Sequence, residues 1–232
     1  MAEPGQSRQT QDHVSSQTRD GISDDLGLRE FKSPSLHSVS AVRGRRMKNV
    51  FIFYGTAGHP GENWFPWLKG ELEKKGFRAI IPKFPSPENQ TLENWFAVFE
   101  KYKKEFTEDT ILVGHSLGGT FALRVMEKSQ VRIKALFLVA AAIGIPPLKN
   151  YETDRPFVEK PFNWEKIRGK CGKIVVFHSD DDPIVFVGNG IEIAKNLDAE
   201  FVRSPTGGHF NAKAGYLKFP LLRDRILDME PA

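Results

Sequence analysis

Thr110-Ile111-Leu112-Val113-Gly114-His115-Ser116-Leu117-Gly118-Gly119 is the stretch on which the reading of this chain turns. An apolar run meets the pattern Gly114-x-Ser116-x-Gly118, and a helix-compatible segment continues to about Glu127. The pattern in this setting places a serine on a sharp strand-to-helix turn. Glycines on either side let neighbouring backbone pass close to a serine held in a strained conformation. Its hydroxyl then stands clear of the sheet edge, where a carbonyl and a base can both reach it. A glycine-rich turn with an incidental serine would give the same five letters. The strand before and the helix after separate the two readings.

Outward from this turn, strands and helices alternate. Asn49-Val50-Phe51-Ile52-Phe53-Tyr54 reads as a first strand and Ala79-Ile80-Ile81 as a short one closed by Pro82. Further runs fall at 134–139, 173–178 and 200–203. Leu92, Trp95, Phe96, Phe99, Tyr102 and Phe106 recur at spacings of three and four, which predicts one apolar face of a helix. Pro220, Leu222, Ile226 and Met229 predict a closing helix with proline in its first turn. Strands that are apolar throughout suit a mostly parallel sheet covered by helices on both faces, so the fold class is α/β. Trp64, Trp67 and Trp95 read as core residues.

The chain has 232 residues, enough for one medium domain and a tail. Residues 1–46, rich in Ser, Gln, Arg and Asp, read as a disordered or weakly ordered N-terminal tail, and residues 47–232 as the folded domain. Met47, just before the first strand, reads as an alternative start. Acidic residues in the tail argue against a mitochondrial presequence, and Arg43, Arg45 and Arg46 read as a solvated tail end or a localisation signal. Net charge is +4, but the basic residues are scattered without a stripe interleaved with aromatics, which argues against a nucleic-acid partner. No apolar run reaches the ~18 residues of a membrane span. The single cysteine, Cys171, forms no internal disulfide and fits a reducing, cytoplasmic compartment, with a nuclear one left open.

A serine hydroxyl is a weak nucleophile, so it needs a general base and usually a carboxylate to orient that base. For a serine on such a turn the chain order is Ser, then Asp or Glu, then His, on loops after later strands. Ser179-Asp180-Asp181-Asp182-Pro183 follows the 173–178 run and offers three aspartates. Asp182 is the choice because Pro183 favours helix initiation just after it; the same residue reads equally as a helix N-cap. Adjacent aspartates point apart, which makes a metal site a poor alternative. Gly207-Gly208-His209-Phe210-Asn211 follows the last strand and puts a histidine at the tip of a loop that glycines let fold back. His115 adjoins Ser116 and would point away from it. His178 ends a strand, and His13 and His37 lie in the tail. The catalytic assignment is therefore Ser116 as nucleophile, Asp182 as acid and His209 as base. The backbone N–H groups of Leu117 and Thr56, the latter in the loop 54–58, are the expected oxyanion donors.

These segments carry a resemblance. Gly55 with Trp64-Phe65-Pro66-Trp67-Leu68, Gly114-His115-Ser116, Phe162-Asn163-Trp164-Glu165-Lys166-Ile167, Asp181-Asp182-Pro183 and Gly208-His209-Phe210 are similar to the α/β-hydrolase superfamily. Within it they resemble the small serine hydrolases of the YdeN and retinoblastoma-binding protein nine type. The likeness runs from about residue 48 to the C-terminus and implies a compact hydrolase with a short cap and the same three catalytic residues. Tyr54 stands where many relatives carry histidine. No Leu-x-Cys-x-Glu segment is present, so a retinoblastoma-pocket interaction is not implied.

The expected reaction is hydrolysis of a small ester, thioester or amide through an acyl-enzyme, with a small-molecule acyl substrate and no metal or organic cofactor. Residues 140–170 read as the cap. His59 is placed to touch substrate, and Ile143, Ile145, Phe157, Phe162 and Trp164 either line an apolar acyl pocket or pack the cap on the sheet. A catalytically silent binding scaffold and an acyltransferase on the same residues are the alternatives. Protein partners, the acyl-chain preference and the oligomeric state are not readable from these residues.

Overall fold

Strand β3 (Ile111–His115), which delivers Ser116, is an interior strand of a six-stranded sheet in a computed structural model that describes residues 48–229. The other strands are β1 (Lys48–Phe53), β2 (Phe77–Ile80), β4 (Ile133–Val139), β5 (Cys171–Ser179) and β6 (Glu200–Ser204). Their order is β2-β1-β3-β4-β5-β6 and every pairing is parallel. The tail of residues 1–46 and the Met47 start lie outside the described residues.

The helices are α1 (Phe65–Glu73), α2 (Leu92–Glu100), α3 (Leu117–Lys128), α4 (Tyr151–Val158), α5 (Trp164–Gly169), α6 (Gly188–Leu197) and α7 (Pro220–Leu227). Side-chain alternation sorts them onto the two faces of the sheet. Phe51 and Phe53 point to one face, where Phe99 of α2 meets them edge-on and Phe121 of α3 packs at a tilt on Phe53. His115 points to the other, against Trp64 and Phe65, and Trp64 also meets Phe219 beside α7. Strands covered on both sides need no polar alternation, which is why their sequence is apolar throughout. Trp64 and Trp95 are fully buried.

The 92–106 periodicity yields a shorter helix than its length suggests. Thr91 caps the start by accepting from Asn94 N–H at 3.2 Å. Regular helix ends at Glu100, and bonds from Tyr102 to Phe99 and from Lys103 to Glu100 tighten the chain into successive turns. A spacing of three survives that tightening, so Phe106 still reaches Phe51 and Phe99.

The cap consists of α4 and α5 and is pinned by the buried Arg124 of α3. Arg124 donates to Phe157 O at 2.9 Å, to Glu127 Oε2 at 2.9 Å and to Lys160 O, and its guanidinium lies 3.7 Å from the ring centre of Phe162. A buried guanidinium is tolerable when its fixed fork of donors is satisfied in this way. Among the described residues no helix is long and apolar enough to cross a membrane.

Candidate active site

Ser116 has φ 55° and ψ −128°, a conformation that costs an L-residue about 1–3 kcal/mol and persists only where its surroundings enforce it. Two features enforce it. Ser116 N–H is held by Val139 O at 2.9 Å, and Ser116 O accepts from Gly119 N–H at 2.9 Å as α3 begins. Gly118 presses against the carbonyl of Phe53, where no Cβ would fit, so the helix can start directly beneath the serine.

Asp182 leaves the carboxyl end of β5. Its Oδ2 lies 2.8 Å from His209 Nδ1, and its Oδ1 accepts from Ile184 N–H at 2.8 Å and Val185 N–H at 3.0 Å. One oxygen of this carboxylate thus serves the turn and the other faces His209. The expectation of a helix starting just after Pro183 is corrected. The next helix, α6, begins at Gly188, because Asp182 engages the first two N–H groups in a side-chain turn and Phe186 N–H bonds Pro147 O at 3.3 Å. Burial alone would raise the Asp182 carboxyl; the bonds from His209, Val185 and Ile184 outweigh it and hold it below the usual carboxylate value. Asp180 pairs with Arg203 at 2.6 Å, while Asp181 accepts from Gly208 N–H at 2.8 Å, so the three aspartates diverge.

An ionised carboxylate only accepts, so the contact with Asp182 places a proton on His209 Nδ1 and leaves Nε2 as the basic nitrogen. The loop carrying His209 is tied from several directions. His115 Nε2 bonds His209 O at 2.8 Å, Trp64 Nε1 donates to Phe210 O at 2.9 Å, and Asn63 Oδ1 accepts from Ala212 N–H at 2.8 Å. Ser179 Oγ donates to Gly208 O. His115 is therefore a support beneath the loop, and it also lines the cavity beside Ser116. Burial drives its imidazole down to about 3, reinforced by the nearby His209 and only partly offset by the bond to His209 O and by Asp182.

The loop after β1 lies against the serine. A Cβ on Gly55 would fall 2.7 Å from Ser116 Cβ, so only glycine permits this approach. Gly58 N–H closes a turn onto Gly55 O at 3.1 Å, with Ala57 in the left-handed region at φ 54°. Tyr54 anchors the loop from behind by donating to Phe84 O at 2.7 Å; burial pushes its phenol up to about 12. The N–H groups of Thr56 and Leu117 carry no hydrogen bond among the described residues. Thr56 Oγ1 donates to Asp154 Oδ1 at 2.5 Å, a buried carboxylate of α4. Burial pushes that carboxyl up to about 6, against the lowering effect of Thr56, His209 and Gln90.

Ser116 and His209 open onto one cavity of about 360 Å³, together with Gly55, Thr56, Glu62, Asn63, Asn150, Ile184, Asn211 and Lys213. No direct hydrogen bond joins Ser116 and His209; such contacts often tighten only when substrate is bound. A second lobe of about 220 Å³ continues past His209 toward Lys149 and Pro183. The proposed acyl-pocket residues lie elsewhere. Phe162 packs on Arg124 and Trp164, and Ile143 is half-buried with its N–H on Asn189 Oδ1 at 2.9 Å. His59 is an exposed residue that accepts from Gly61 N–H at 3.1 Å. The apolar cap residues are consumed in packing; most residues around the cavity carry polar groups, but the greater part of its wall is apolar surface. The sequence reading also missed Asp154 and Gln90, for which no local pattern signals a partner far along the chain. Among the described residues no cluster of three His, Cys, Asp or Glu side chains forms a metal site.

The chain is similar to known hydrolases. The profile described as serine hydrolase matches residues 50–227. YdeN of Bacillus subtilis is 32% identical over 180 residues, covering 76% of this chain and 93% of YdeN. The serine hydrolase RBBP9 of Rattus norvegicus is 33% identical over 148 residues, covering 63% of this chain and 77% of that protein. The crystal structure of the B. subtilis ydeN product superposes with a TM-score of 0.74 at 29% identity, covering 79% of this chain and 98% of that one. Est1E of Butyrivibrio proteoclasticus, solved with ferulic acid, shares the fold with a TM-score of 0.63 at 16% identity, covering 78% of this chain and 88% of its own.

Proposed function

This chain belongs to the serine hydrolase family, and from that premise we propose that it cleaves a small ester, thioester or amide through an acyl-enzyme on Ser116. The observation that carries the reading is the convergence of Ser116 and His209 on one cavity, with Asp182 bonded to His209 Nδ1 at 2.8 Å. Ser116 Oγ attacks the substrate carbonyl as His209 Nε2 takes its proton. Asp182 keeps the proton on Nδ1 and stabilises the imidazolium. The N–H groups of Leu117 and Thr56 receive the charge that develops on the carbonyl oxygen. His209 then protonates the leaving group, and water, deprotonated at Nε2, releases the acid.

The cavity volume lies at the small end of ligand sites, roughly 300–1,000 Å³. A cavity of this size favours short acyl groups over long alkyl chains. A fluorophosphonate probe tests the nucleophile: labelling of the wild-type protein and none of S116A is the expected result. An unlabelled wild-type protein would leave a binding scaffold as the better reading. A panel of p-nitrophenyl esters should show turnover falling as the chain lengthens from acetate to palmitate; a rising trend contradicts the size argument. Product analysis with added alcohols or amines separates hydrolysis from acyl transfer.

A further inference from the structure

Asp154 is buried in the cap, outside the proposed catalytic residues, and belongs to no ion pair among the described residues. Its Oδ1 instead accepts from two segments of the catalytic domain. Thr56 Oγ1 donates to it at 2.5 Å and Gln90 Nε2 approaches at 3.5 Å. Gln90 is itself buried, and its Oε1 accepts from Ser86 Oγ at 2.5 Å and from Ala57 N–H at 3.4 Å. One acidic side chain thus grips two consecutive residues of the loop against Ser116, Thr56 directly and Ala57 through Gln90. That loop needs external restraint, because Ala57 sits at φ 54° and its internal tie is the single turn bond from Gly58 to Gly55.

Resting on the acyl-enzyme reading above, we propose that Asp154 is a positioning residue for acyl transfer, reaching from cap helix α4 to fix the loop whose Thr56 N–H faces the developing oxyanion. A carboxylate can only accept, so it dictates that the Thr56 hydroxyl donates, which fixes that side chain and the peptide attached to it. Oxyanion donors act through being held in place before charge develops, so a loosened loop reduces transition-state stabilisation more than substrate binding. The cap then does more than cover the cavity: the catalytic domain completes its site only with α4 docked.

The test uses the full chain with p-nitrophenyl acetate and a fluorophosphonate probe. T56V, which keeps the shape and loses the donated proton, should lower kcat about 10- to 100-fold, short of the 10²–10³ cost of losing an oxyanion donor outright, with little change in KM. D154A should lower kcat to a similar extent, and the double variant no further, because both remove the same bond. T56S and D154N, which retain a donor and an acceptor, should recover most of the loss. T56V at wild-type kcat, additive losses in the double variant, or a loss confined to KM would each overturn the proposal. Should D154A fail to fold, T56V and T56S still decide it from the other side of the bond. If Ser116 of the wild-type chain does not take the probe, the acyl-enzyme reading falls first and takes this one with it; normal labelling with an inert T56V sinks the positioning role alone.

Discussion

Two loops converge on Ser116, and they are restrained in opposite ways. The His209 loop is bonded on backbone or side chain at Gly208, His209, Phe210 and Ala212 by Ser179, Asp181, His115, Trp64, Asp182 and Asn63. The loop 54–58 is bound behind by Tyr54 and beside the serine by Asp154 and Gln90 of more distant segments. As the proposed base, His209 must keep one ring orientation through both halves of the reaction; redundant bonds hold the backbone of its loop, while the ring itself is held at Nδ1 by Asp182. The loop 54–58 has few such supports, and its main one belongs to the cap. On the positioning role proposed for Asp154, motion of the cap reaches catalysis through this loop first.

The largest effect that would break this contrast lies where the base loop is not redundant. D182N keeps the oxygen that accepts from Ile184 and Val185, so the turn survives, but its amide opposes the proton on His209 Nδ1. By the behaviour of such triads kcat should fall about 10⁴-fold while the melting temperature stays near that of the wild type. A small kcat loss would mean that the ring orientation is fixed by the surrounding bonds alone.

A smaller effect concerns the support beneath the base. The folded-state value of His115 is about 3 against an ordinary 6.5, so the native state binds fewer protons than the unfolded chain between those limits. Its stabilising contribution is fully present above pH 6.5 and is lost as pH falls toward 3. H115Q retains a donor for His209 O without a titrating ring. The difference in unfolding free energy between wild type and H115Q should therefore narrow or reverse below pH 6.5, by at most about 1.4 kcal/mol per pH unit. Urea unfolding at pH 7.5, 6 and 5 measures it, and parallel curves would remove His115 from the account.

The smallest effect sharpens the comparison directly. S179A removes one bond to the base loop, Ser179 Oγ to Gly208 O, at a cost of about 1 kcal/mol in stability. Its kcat should fall less than that of T56V, which removes one bond from the loop 54–58. Equal losses would mean that both loops depend on single contacts.

Local rules account for what is legible along the chain. Parallel strands between two helix layers must be apolar throughout, and a serine on a tight strand-to-helix turn needs glycines at fixed offsets, so the sheet and Ser116 announce themselves within ten residues. Asp182 and His209 stand out because chain order restricts them to two loops. Such rules overrun in two places: the 92–106 periodicity continues through tight turns after α2 ends, and Pro183, a residue favoured at helix starts, begins no helix. Phe162, Ile143 and Trp164 have the composition of a pocket but are spent on Arg124 and the core. Asp154 meets Thr56 across 98 residues of sequence. Hydrogen bonding at that separation is created by the docking of the cap on the sheet, and no spacing rule reaches so far; the fold class and the serine turn follow from neighbours in sequence, whereas the shape of the cavity follows from neighbours in space.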